Sequence, residues 1–348
     1  MRHRIGLIAD VQYADIDDVW NFMKTHKRKY RSTLQCLRNA IDSWRKDDNL
    51  DIVVDLGDAI DGFRNTDRLM GMHALDKVMR EWSRLACLKS SVPVLHLIGN
   101  HELYKFTRTE LVNGVEDTGF SCIAPDQIRS IVDKPGSVYY SFRLAVSSPW
   151  RIVVLDPYAE SVMTLGGGRV GIELTLENGG LHPDFTALCR TNNPNDFLNG
   201  ANYFDGLTGD ACRWSPFNGG LGEEQLNWLK HTLATAVSNA EKLIVLSHVI
   251  LHPSATPGKN CHTLLWDYDK VLDIFKQHDC VKLVLTGHAH HEGYHHCSET
   301  GIHHVSLESP LEAPDDLAEN TFASLTLEDD VATIEGSGWV KCRTMLLR

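Results

Sequence analysis

Five mostly apolar segments of the chain each end in side chains that can bind a metal ion. In the clearest one, the run 52–56 predicts a buried strand that ends at Gly57 and Asp58. A carboxylate in that position is held rigidly and can still face a ligand, although a single such Asp is equally typical of a helix cap. The argument therefore depends on recurrence. The corresponding residues after the other four segments are Asp10 with Gln12, Asn100 with His101, His248, and His288 with His290.

Strands and helices alternate along most of the chain. The predicted strands cover 5–9, 51–57, 92–98, 138–144, 151–155, 243–246 and 281–286, followed by closing antiparallel strands at 301–307, 322–327 and 331–335. The predicted helices cover 30–44, 66–86, 222–237 and 266–278. This order predicts α/β layers with mixed sheets. Ligands of such sheets bind beyond the carboxyl ends of the strands, where all the candidate residues fall.

The region 157–220 departs from this alternation, because it is rich in Gly, Asn, Asp and Pro and has no clear periodicity. A structureless loop of that length is unusual inside a compact domain. The strand pattern resumes after it, so we interpret it as an elaborated functional loop or lid with short helices. We expect residues 1–348 to form one domain with this insertion.

Composition excludes several function classes. The net charge of -12 argues against a nucleic-acid partner, although bound divalent cations can still make a local site attractive to anions. Nine cysteines without a Cys-x-x-Cys motif indicate neither a disulfide framework nor a zinc ribbon. We see no signal-like segment and no apolar run long enough for a bilayer. We expect a cytoplasmic monomer that binds neither membrane nor nucleic acid.

The donor atoms at the strand ends indicate the kind of metal. Carboxylate and amide oxygens mixed with imidazoles suit Mn²⁺, Fe²⁺, Mg²⁺ or Zn²⁺ rather than copper or iron–sulfur chemistry. Any one of these histidines, taken alone, is more typical of a hydrogen-bonded structural residue. The recurrence at five strand ends favours a shared metal site.

The order of these motifs resembles the calcineurin-like metallophosphoesterase family. The motifs are Asp10-x-Gln12, Gly57-Asp58, Gly99-Asn-His-Glu102, His248 and Gly287-His-x-His290. The resemblance implies a four-layer αββα sandwich, in which two mixed β-sheets are flanked by helices. It also implies two divalent metal ions at the strand ends.

The resemblance also implies roles for individual residues. The first metal would be held by Asp10, Gln12, Asp58 and His290, and the second by Asp58, Asn100, His248 and His288. A water bridging two such metals becomes a hydroxide nucleophile. His101 would protonate the leaving oxygen or stabilise the transition state, with orientation of a ligand as its alternative role. The usual Asp-x-His of the family is Asp-x-Gln here, which favours Mn²⁺ or Mg²⁺ over zinc.

Longer stretches resemble the manganese-dependent ADP-ribose/CDP-alcohol diphosphatases. They are residues 10–15, 20–22, 28–31, 217–229 and 287–290. This resemblance implies hydrolysis of ADP-ribose to AMP and ribose 5-phosphate, and of CDP-choline or CDP-glycerol to CMP and a phosphoalcohol. Some members also accept cyclic ADP-ribose, and the sequence does not rank these substrates.

Candidate substrate contacts follow from residue type and position. Arg28 or Arg31 could bind a phosphate bidentately, although a basic run is more often a solvated face. Trp20, Phe22 and Phe217 could stack on a nucleobase, with core packing as the alternative. Cys261 could line the pocket or be a buried, unreactive thiol.

Three other functions use similar residues. A phosphoprotein phosphatase normally has Arg directly after Gly-Asp, where this chain has Ala59, and Glu102 follows Asn-His here. A cyclic-nucleotide or other phosphodiesterase would use the same metals. A non-enzymatic scaffold of this fold usually lacks metal ligands, whereas this chain has all eight candidate residues.

Overall fold

The computed structural model describes residues 2–21, 24–65, 67–89, 92–166 and 181–347. The strands are β1 (His3–Ile8), β2 (Val19–Trp20), β3 (Lys27–Arg28), β4 (Leu50–Asp55), β5 (Val94–His96), β6 (Tyr140–Arg143), β7 (Trp150–Val154), β8 (Lys242–Ser247), β9 (Val281–Thr286), β10 (Gly293–His296), β11 (His303–Ser306), β12 (Phe322–Leu327), β13 (Val331–Ser337) and β14 (Arg343–Leu346). The α-helices are α1 (Tyr30–Trp44), α2 (Arg68–Leu88), α3 (Asn100–Leu103), α4 (Arg108–Asn113), α5 (Pro183–Asn192), α6 (Gly222–Ser238) and α7 (Tyr268–Lys276).

Two six-stranded mixed sheets form the centre of the fold. The first has the order β14-β13-β12-β1-β4-β5, with β1, β4 and β5 parallel and the other strands antiparallel. The second has the order β10-β11-β9-β8-β7-β6, with four parallel central strands and an antiparallel strand at each edge. Buried residues from both sheets, such as Ile52 and Ile244, share one core between them.

Helices cover the outer faces of the sheets. Helix α1 is amphipathic, and its buried residues include Leu37, Ile41 and Trp44 at helical spacing. Trp44 lies against the first sheet at Gly6, where an added Cβ would be only 2.8 Å from Trp44 Cε2. Helices α6 and α7 bury Leu229 and Phe275 in the same way. The predicted four-layer αββα sandwich is confirmed.

The pattern of the C-terminal strands differs from the prediction. Segment 301–307 was predicted as a closing antiparallel strand. It forms β11 of the second sheet, which is antiparallel to β10 but parallel to β9. The strands β10 and β14 were not predicted. Both are short edge strands whose polar and basic residues hide the alternation, for example His295 and Arg343.

The parallel strands place their carboxyl ends along one edge of the two sheets. Strands β1 and β4 contribute from the first sheet, and β8 and β9 from the second. The insertion 157–220 contains α5 and two short 3₁₀ helices, in agreement with the short helices predicted there. Within the described ranges, no helix has the length and apolar character that a membrane span requires. The single-domain organisation stays a prediction.

Candidate active site

The predicted metal ligands meet where the strands of the two sheets end. We call this set the ligand cluster; its members are Asp10, Gln12, Asp58, Asn100, His248, His288 and His290, all of them buried. His248 Nε2 lies 3.3 Å from Asp58 Oδ2 and 3.3 Å from Asn100 Oδ1. Asp58, His248 and His288 each offer a ligand atom within 4.8 Å of the others. The structure therefore brings together residues that are up to 280 positions apart in sequence.

Most of the ligand cluster lies on strained backbone. Five members have positive φ angles, between 40° and 70°, although none is glycine. They are Asp10, Gln12, Asp58, His288 and His290. Such conformations cost of order 1–3 kcal/mol each and concentrate at functional sites. The surrounding hydrogen bonds hold these turns, for example Gln12 N to Asp58 O at 2.8 Å.

Glycines leave room for the ligand side chains. A Cβ on Gly99 would be 2.1 Å from Asp58 Oδ1, so no other residue fits beside that carboxylate. Gly57 has φ +100° and would place a Cβ 2.7 Å from His248 Nδ1. The Gly-Asp and Gly-Asn-His motifs thus reflect close approach of backbone to the cluster.

Hydrogen bonds orient the three histidines of the cluster. His248 Nδ1 donates to Leu56 O at 2.7 Å, which leaves Nε2 facing Asp58. His290 Nδ1 lies 3.1 Å from Glu312 Oε1, which leaves its Nε2 beside Gln12. His288 Nε2 lies 2.9 Å from Asn218 Oδ1. Acceptors of this kind fix the ring orientation of metal-binding histidines.

Buried carboxylates make the floor of the site electrostatically negative. Burial raises the pKa of Asp10 to about 6, whereas for Asp58 the charges of His248 and His101 outweigh burial and hold its pKa below the usual range. Burial alone would lower the pKa of His248, but Asp58 and Asp10 raise it to about 10. A proton on His248 thus balances the carboxylates, a role that a cation can take over.

Gln12 provides a test of whether the cluster fits a metal. Its Nε2 lies 3.0 Å from Asp58 Oδ2 and 2.8 Å from His290 Nε2. Its Oε1 is buried and has no hydrogen-bond partner among the described residues. Rotating the amide by half a turn exchanges the two atoms and points the oxygen at the cluster. The oxygen and nitrogen donors that result match the preference of Mn²⁺, so the residues fit divalent cations.

His101 lies next to the ligand cluster and is buried. Its Nδ1 accepts from Gly62 N at 2.8 Å, so Nε2 carries the proton of the neutral ring. Nε2 lies 4.0 Å from Asp58 Oδ2, toward the metal ligands. Asp61 Oδ2 lies 3.5 Å from Nδ1 and is itself buried without a hydrogen-bond partner in the described structure. This carboxylate stabilises a doubly protonated His101.

A cavity of about 1050 Å³ opens above the ligand cluster. Four rings on one side form what we call the aromatic wall: Tyr203, Phe204, Phe217 and His262. Phe204 and His262 stack with ring centroids 3.8 Å apart and planes 11° apart. Three of the four rings, Tyr203, Phe204 and Phe217, belong to the insertion 157–220, whose role as a functional loop or lid stays a prediction.

Three of the predicted substrate contacts lie at this cavity. Arg28 lines it and pairs with Glu312, with Nε 2.8 Å from Oε1. Phe217 is part of the aromatic wall and lies edge-on to His288, with ring centroids 5.8 Å apart. Trp20 lines the mouth and is 55% exposed.

Two other predicted contacts, Cys261 and Arg31, do not line the cavity. The prediction for Cys261 is wrong, because its side chain packs in a buried cluster with Ile250 and Leu264 while its neighbours line the cavity. Arg31 points to the surface, where it binds Asp15 and Asp17. Phe22 lies outside the described residues.

Several residues of the site were not identified from the sequence. They are Asp61, Arg64, Glu102, Tyr203, Phe204, Asn218, His262 and Glu312. Glu102 accepts hydrogen bonds from the backbone N–H groups of Gly99, Asp58 and Ala59, which fastens two ligand turns together. Glu102 is part of the Gly99-Asn-His-Glu102 motif and Asp61 lies three residues after Asp58, so closer attention to carboxylates beside ligands could have found them. The others come from segments without a pattern.

Comparisons with known proteins agree with this geometry. Residues 3–292 match the calcineurin-like phosphoesterase family. The chain is 34% identical over 343 residues to a manganese-dependent ADP-ribose/CDP-alcohol diphosphatase of Mus musculus, covering 98% of this chain and 92% of that protein. A protein of the same name from Arabidopsis thaliana is 34% identical over 312 residues, covering 89% and 86%.

A solved structure gives the same result at the level of the fold. The crystal structure of a dimetal phosphatase from Danio rerio superposes with a TM-score of 0.79 and 30% identity, and it covers 99% of each chain. The Plasmodium protein GAP50 superposes with a TM-score of 0.52 at 12% identity, which shows the fold alone. The chain belongs to the calcineurin-like phosphoesterase family of metal-dependent hydrolases.

Proposed function

We propose that this protein hydrolyses the diphosphate bond of nucleoside diphosphate-linked compounds in a Mn²⁺-dependent reaction. The substrates would be ADP-ribose and CDP-alcohols such as CDP-choline and CDP-glycerol. The observation that carries the proposal is one cavity that joins the ligand cluster, two arginines and the aromatic wall. A phosphomonoester needs only the first of these features. The names of the relatives support the same substrate class.

The ligand cluster would hold two cations. Asp10, Gln12 and His290 would form one group of ligands with Asp58, and Asn100, His248 and His288 the other. Gln12 Nε2 and His248 Nε2 lie 3.0 Å and 3.3 Å from Asp58 Oδ2, so Asp58 is within reach of both groups. When bound, divalent cations supply the positive charge that attracts a diphosphate and the Lewis acidity that activates water. The buried position of Asp58 beside both groups makes it the shared ligand.

His101 would act on the leaving oxygen as a proton donor. A general acid must start as the doubly protonated ring. Its Nε2, which faces the cluster, would give its proton to the leaving oxygen and leave the ring neutral. Asp61, 3.5 Å from Nδ1, stabilises the charge that the ring gains when it is doubly protonated. The ring is therefore oriented from behind by Gly62 and Asp61, and only Nε2 is offered to substrate.

Two arginines would bind the phosphate that is not attacked. Arg28 and Arg64 both line the cavity. Arg28 is held by Glu312, whereas the Arg64 guanidinium hydrogen-bonds to the Tyr30 side chain and has no ion pair among the described residues, so most of its donors are free. A planar guanidinium with free donors binds phosphate oxygens in pairs. Arg64 thus has the unused hydrogen-bonding capacity that a diphosphate requires.

The aromatic wall would hold the nucleobase. Stacking on an aromatic side chain accepts both adenine and cytosine, because each base offers a π-face. This property fits a substrate class that is united by its diphosphate rather than by its base. The base contributes binding, and the ligand cluster contributes the chemistry.

The test compares three substrates with metal-stripped protein to which Mn²⁺ is returned. We expect turnover of ADP-ribose and CDP-choline, with AMP or CMP as a product, and weaker turnover of p-nitrophenyl phosphate. No turnover of any of them at full metal occupancy would contradict the enzyme assignment. A preference for the monoester would instead assign a phosphatase. The cytoplasmic location and the monomeric state stay predictions.

A further inference from the structure

We propose that His252, His295 and Cys297 form a second metal site, separate from the ligand cluster, that binds a zinc-type cation. One ligand atom from each of the three lies within 4.8 Å of the other two. The site is on the edge hairpin β10–β11 of the second sheet and on the loop that follows β8. It contains a thiol, which the ligand cluster lacks.

The register of the hairpin puts the donors on one face. His295 pairs with His304 across the two strands, and Cys297 N bonds to Ile302 O at 2.9 Å, two pairs further along. Directly paired residues of antiparallel strands share a face, as do residues two positions apart. His295, Cys297 and His304 therefore project to the same side of the hairpin.

The loop after β8 brings His252 over this face. The 3₁₀ helix Pro253–Ala255 packs so closely on β10 that a Cβ on Gly293 would lie within bonding distance of Ala255 O. The ring of His252 consequently lies 4.2 Å from that of His295 and 4.8 Å from that of His304, between centroids. Glycine at 293 is what allows the approach.

His304 gives an independent indication of a missing ligand. It is 2% exposed, and its Nδ1 is buried without a hydrogen-bond partner in the described part of the chain. An unsatisfied buried polar atom is costly and needs an explanation. No nitrogen of His304 lies within 4.8 Å of the donor atoms of all three other residues, so this nitrogen would reach the cation only after a shift of its ring toward His252.

The protonation states of the donors suit a cation. Burial and neighbouring cationic groups lower the pKa of His252 to about 4, and burial lowers those of His295 and His304 as well. The rings are thus neutral at neutral pH. Burial raises the pKa of Cys297, but hydrogen bonds from Thr300 and Glu299 outweigh it and favour the thiolate. Neutral imidazole and thiolate are the forms that bind zinc.

One hydrogen bond opposes binding. Ser254 N donates to His252 Nδ1 at 3.1 Å. If His252 binds the cation through Nδ1, the Ser254 N–H loses its acceptor. If His252 binds through Nε2, the ring proton moves to Nδ1, and the Ser254 N–H loses its acceptor again. The loss is one long hydrogen bond, whereas the gain is a metal–imidazole bond.

Donor type separates the two metal sites. Mixed nitrogen and sulfur donors favour zinc, whereas the oxygen-rich ligand cluster favours Mn²⁺. The loop that begins at His252 continues to Pro257, Asn260 and His262 at the cavity. A cation held by His252 and the hairpin would therefore fasten one wall of the cavity to the second sheet.

Cobalt is the probe that distinguishes the sites, because only a thiolate ligand gives a near-ultraviolet sulfur-to-cobalt band. Metal-stripped protein, kept reduced with a phosphine, is titrated with Co²⁺ and then with Zn²⁺. We expect the band to appear and then to disappear as Zn²⁺ replaces Co²⁺. Cys297→Ser should remove the band and lower the bound metal by one equivalent per chain.

Matched variants locate the site on the hairpin. His295→Ala should weaken Co²⁺ binding at this band by about tenfold or more. His296→Ala is the control, because it changes the same strand on its opposite, exposed face, and Cys342→Ser controls for an exposed thiol. The proposal is overturned if wild-type protein gives no band, if the band survives Cys297→Ser, or if His296→Ala weakens it as much as His295→Ala.

Discussion

The ligand cluster lies at the ends of strands, whereas the aromatic wall lies on loops, although both face one cavity. Cluster residues are buried and tied to backbone, as Asp58 is through His101 N at 2.8 Å. The wall residues Tyr203 and Phe204 are half-exposed and come from the insertion. They contact each other and Phe217, Phe204 stacks on His262, and each also packs against a small buried cluster outside the two main cores.

This difference separates chemistry from specificity. The cluster is positioned by the two sheets and by turns at positive φ, so a displacement of its atoms would require the fold itself to change. The wall can change by replacing loop residues without disturbing a strand. We therefore expect changes in the cluster to alter turnover and changes in the wall to alter substrate affinity.

The largest effect is expected from Asp58→Asn. The substitution removes the charge shared by both groups of ligands, so the loss of turnover should exceed the roughly 10²–10³-fold that one preorganised electrostatic group provides. Hydrolysis of ADP-ribose and bound Mn²⁺ per chain are the measurements. The exposed Asp117→Asn serves as the control for the same chemical change. Full activity with a single bound metal would contradict the two-metal assignment.

His101→Ala tests chemistry without removing a ligand. We expect turnover to fall by about 10²–10⁴-fold, the usual contribution of a positioned proton donor. Bound Mn²⁺ and KM should stay near their wild-type values. If the variant instead lost its metals, the His101 side chain would have a structural role, keeping in place the turn whose backbone N–H binds Asp58.

Asp61→Asn should have a smaller effect on the same step. An amide keeps the hydrogen bonds that Asp61 Oδ1 accepts from the N–H groups of Phe63 and Arg64, but it removes the charge behind His101 Nδ1. We expect kcat to fall by about tenfold to a hundredfold with KM unchanged, the scale of changes around a site's first ligands. An unchanged kcat would show that Gly62 alone orients the ring.

Gln12→His tests why the cluster favours manganese. Replacing an amide oxygen by an imidazole makes the first site softer, so the ratio of Zn²⁺ to Mn²⁺ affinity should rise by roughly tenfold or more. Competition between the two ions, followed by elemental analysis, measures the ratio. If the variant kept the wild-type ratio of Zn²⁺ to Mn²⁺ affinity, neither atom of the Gln12 amide would coordinate the cation.

The same division explains what could be predicted from sequence. Strand ends such as Gly57-Asp58 can be recognised in the sequence, because an apolar run is followed by a rigid turn. The parallel strands of the sheets then place these ends close together. The α/β layers and the donor residues at the strand ends were therefore accessible from the residue pattern, whereas the four-layer sandwich and the division into two metal sites came from the family resemblance. The presence of Gln12 where the family usually has His was visible for the same reason, because this residue follows the first strand at a fixed distance.

The aromatic wall could not be predicted from the sequence in this way. Phe204 and His262 are 58 positions apart on segments without periodicity, and their stacking depends on how two loops meet. Cys261 shows the limit most clearly, because its neighbours Asn260 and His262 face the cavity while its own side chain turns into a buried cluster. Side-chain direction in such a loop follows from backbone angles that residue types do not reveal.

Phe204→Ala should change substrate affinity rather than chemistry. Stacking on a base is worth roughly 1–3 kcal/mol, so KM for ADP-ribose should rise about tenfold while kcat changes little. Hydrolysis of p-nitrophenyl phosphate, which has no nucleobase, is the internal control and should be unaffected. An equal effect on both substrates would mean that the wall supports the cluster rather than the base.

Trp20→Ala should give the smallest effect, although the ring also lines the cavity. Its 55% exposure means that it is free to move before substrate binds. Fixing such a side chain costs about 0.5–1.5 kcal/mol, which offsets most of what stacking contributes. KM for ADP-ribose should therefore change less than about threefold. A loss as large as that of Phe204→Ala would mean that the mouth of the cavity, and not its inner wall, holds the base.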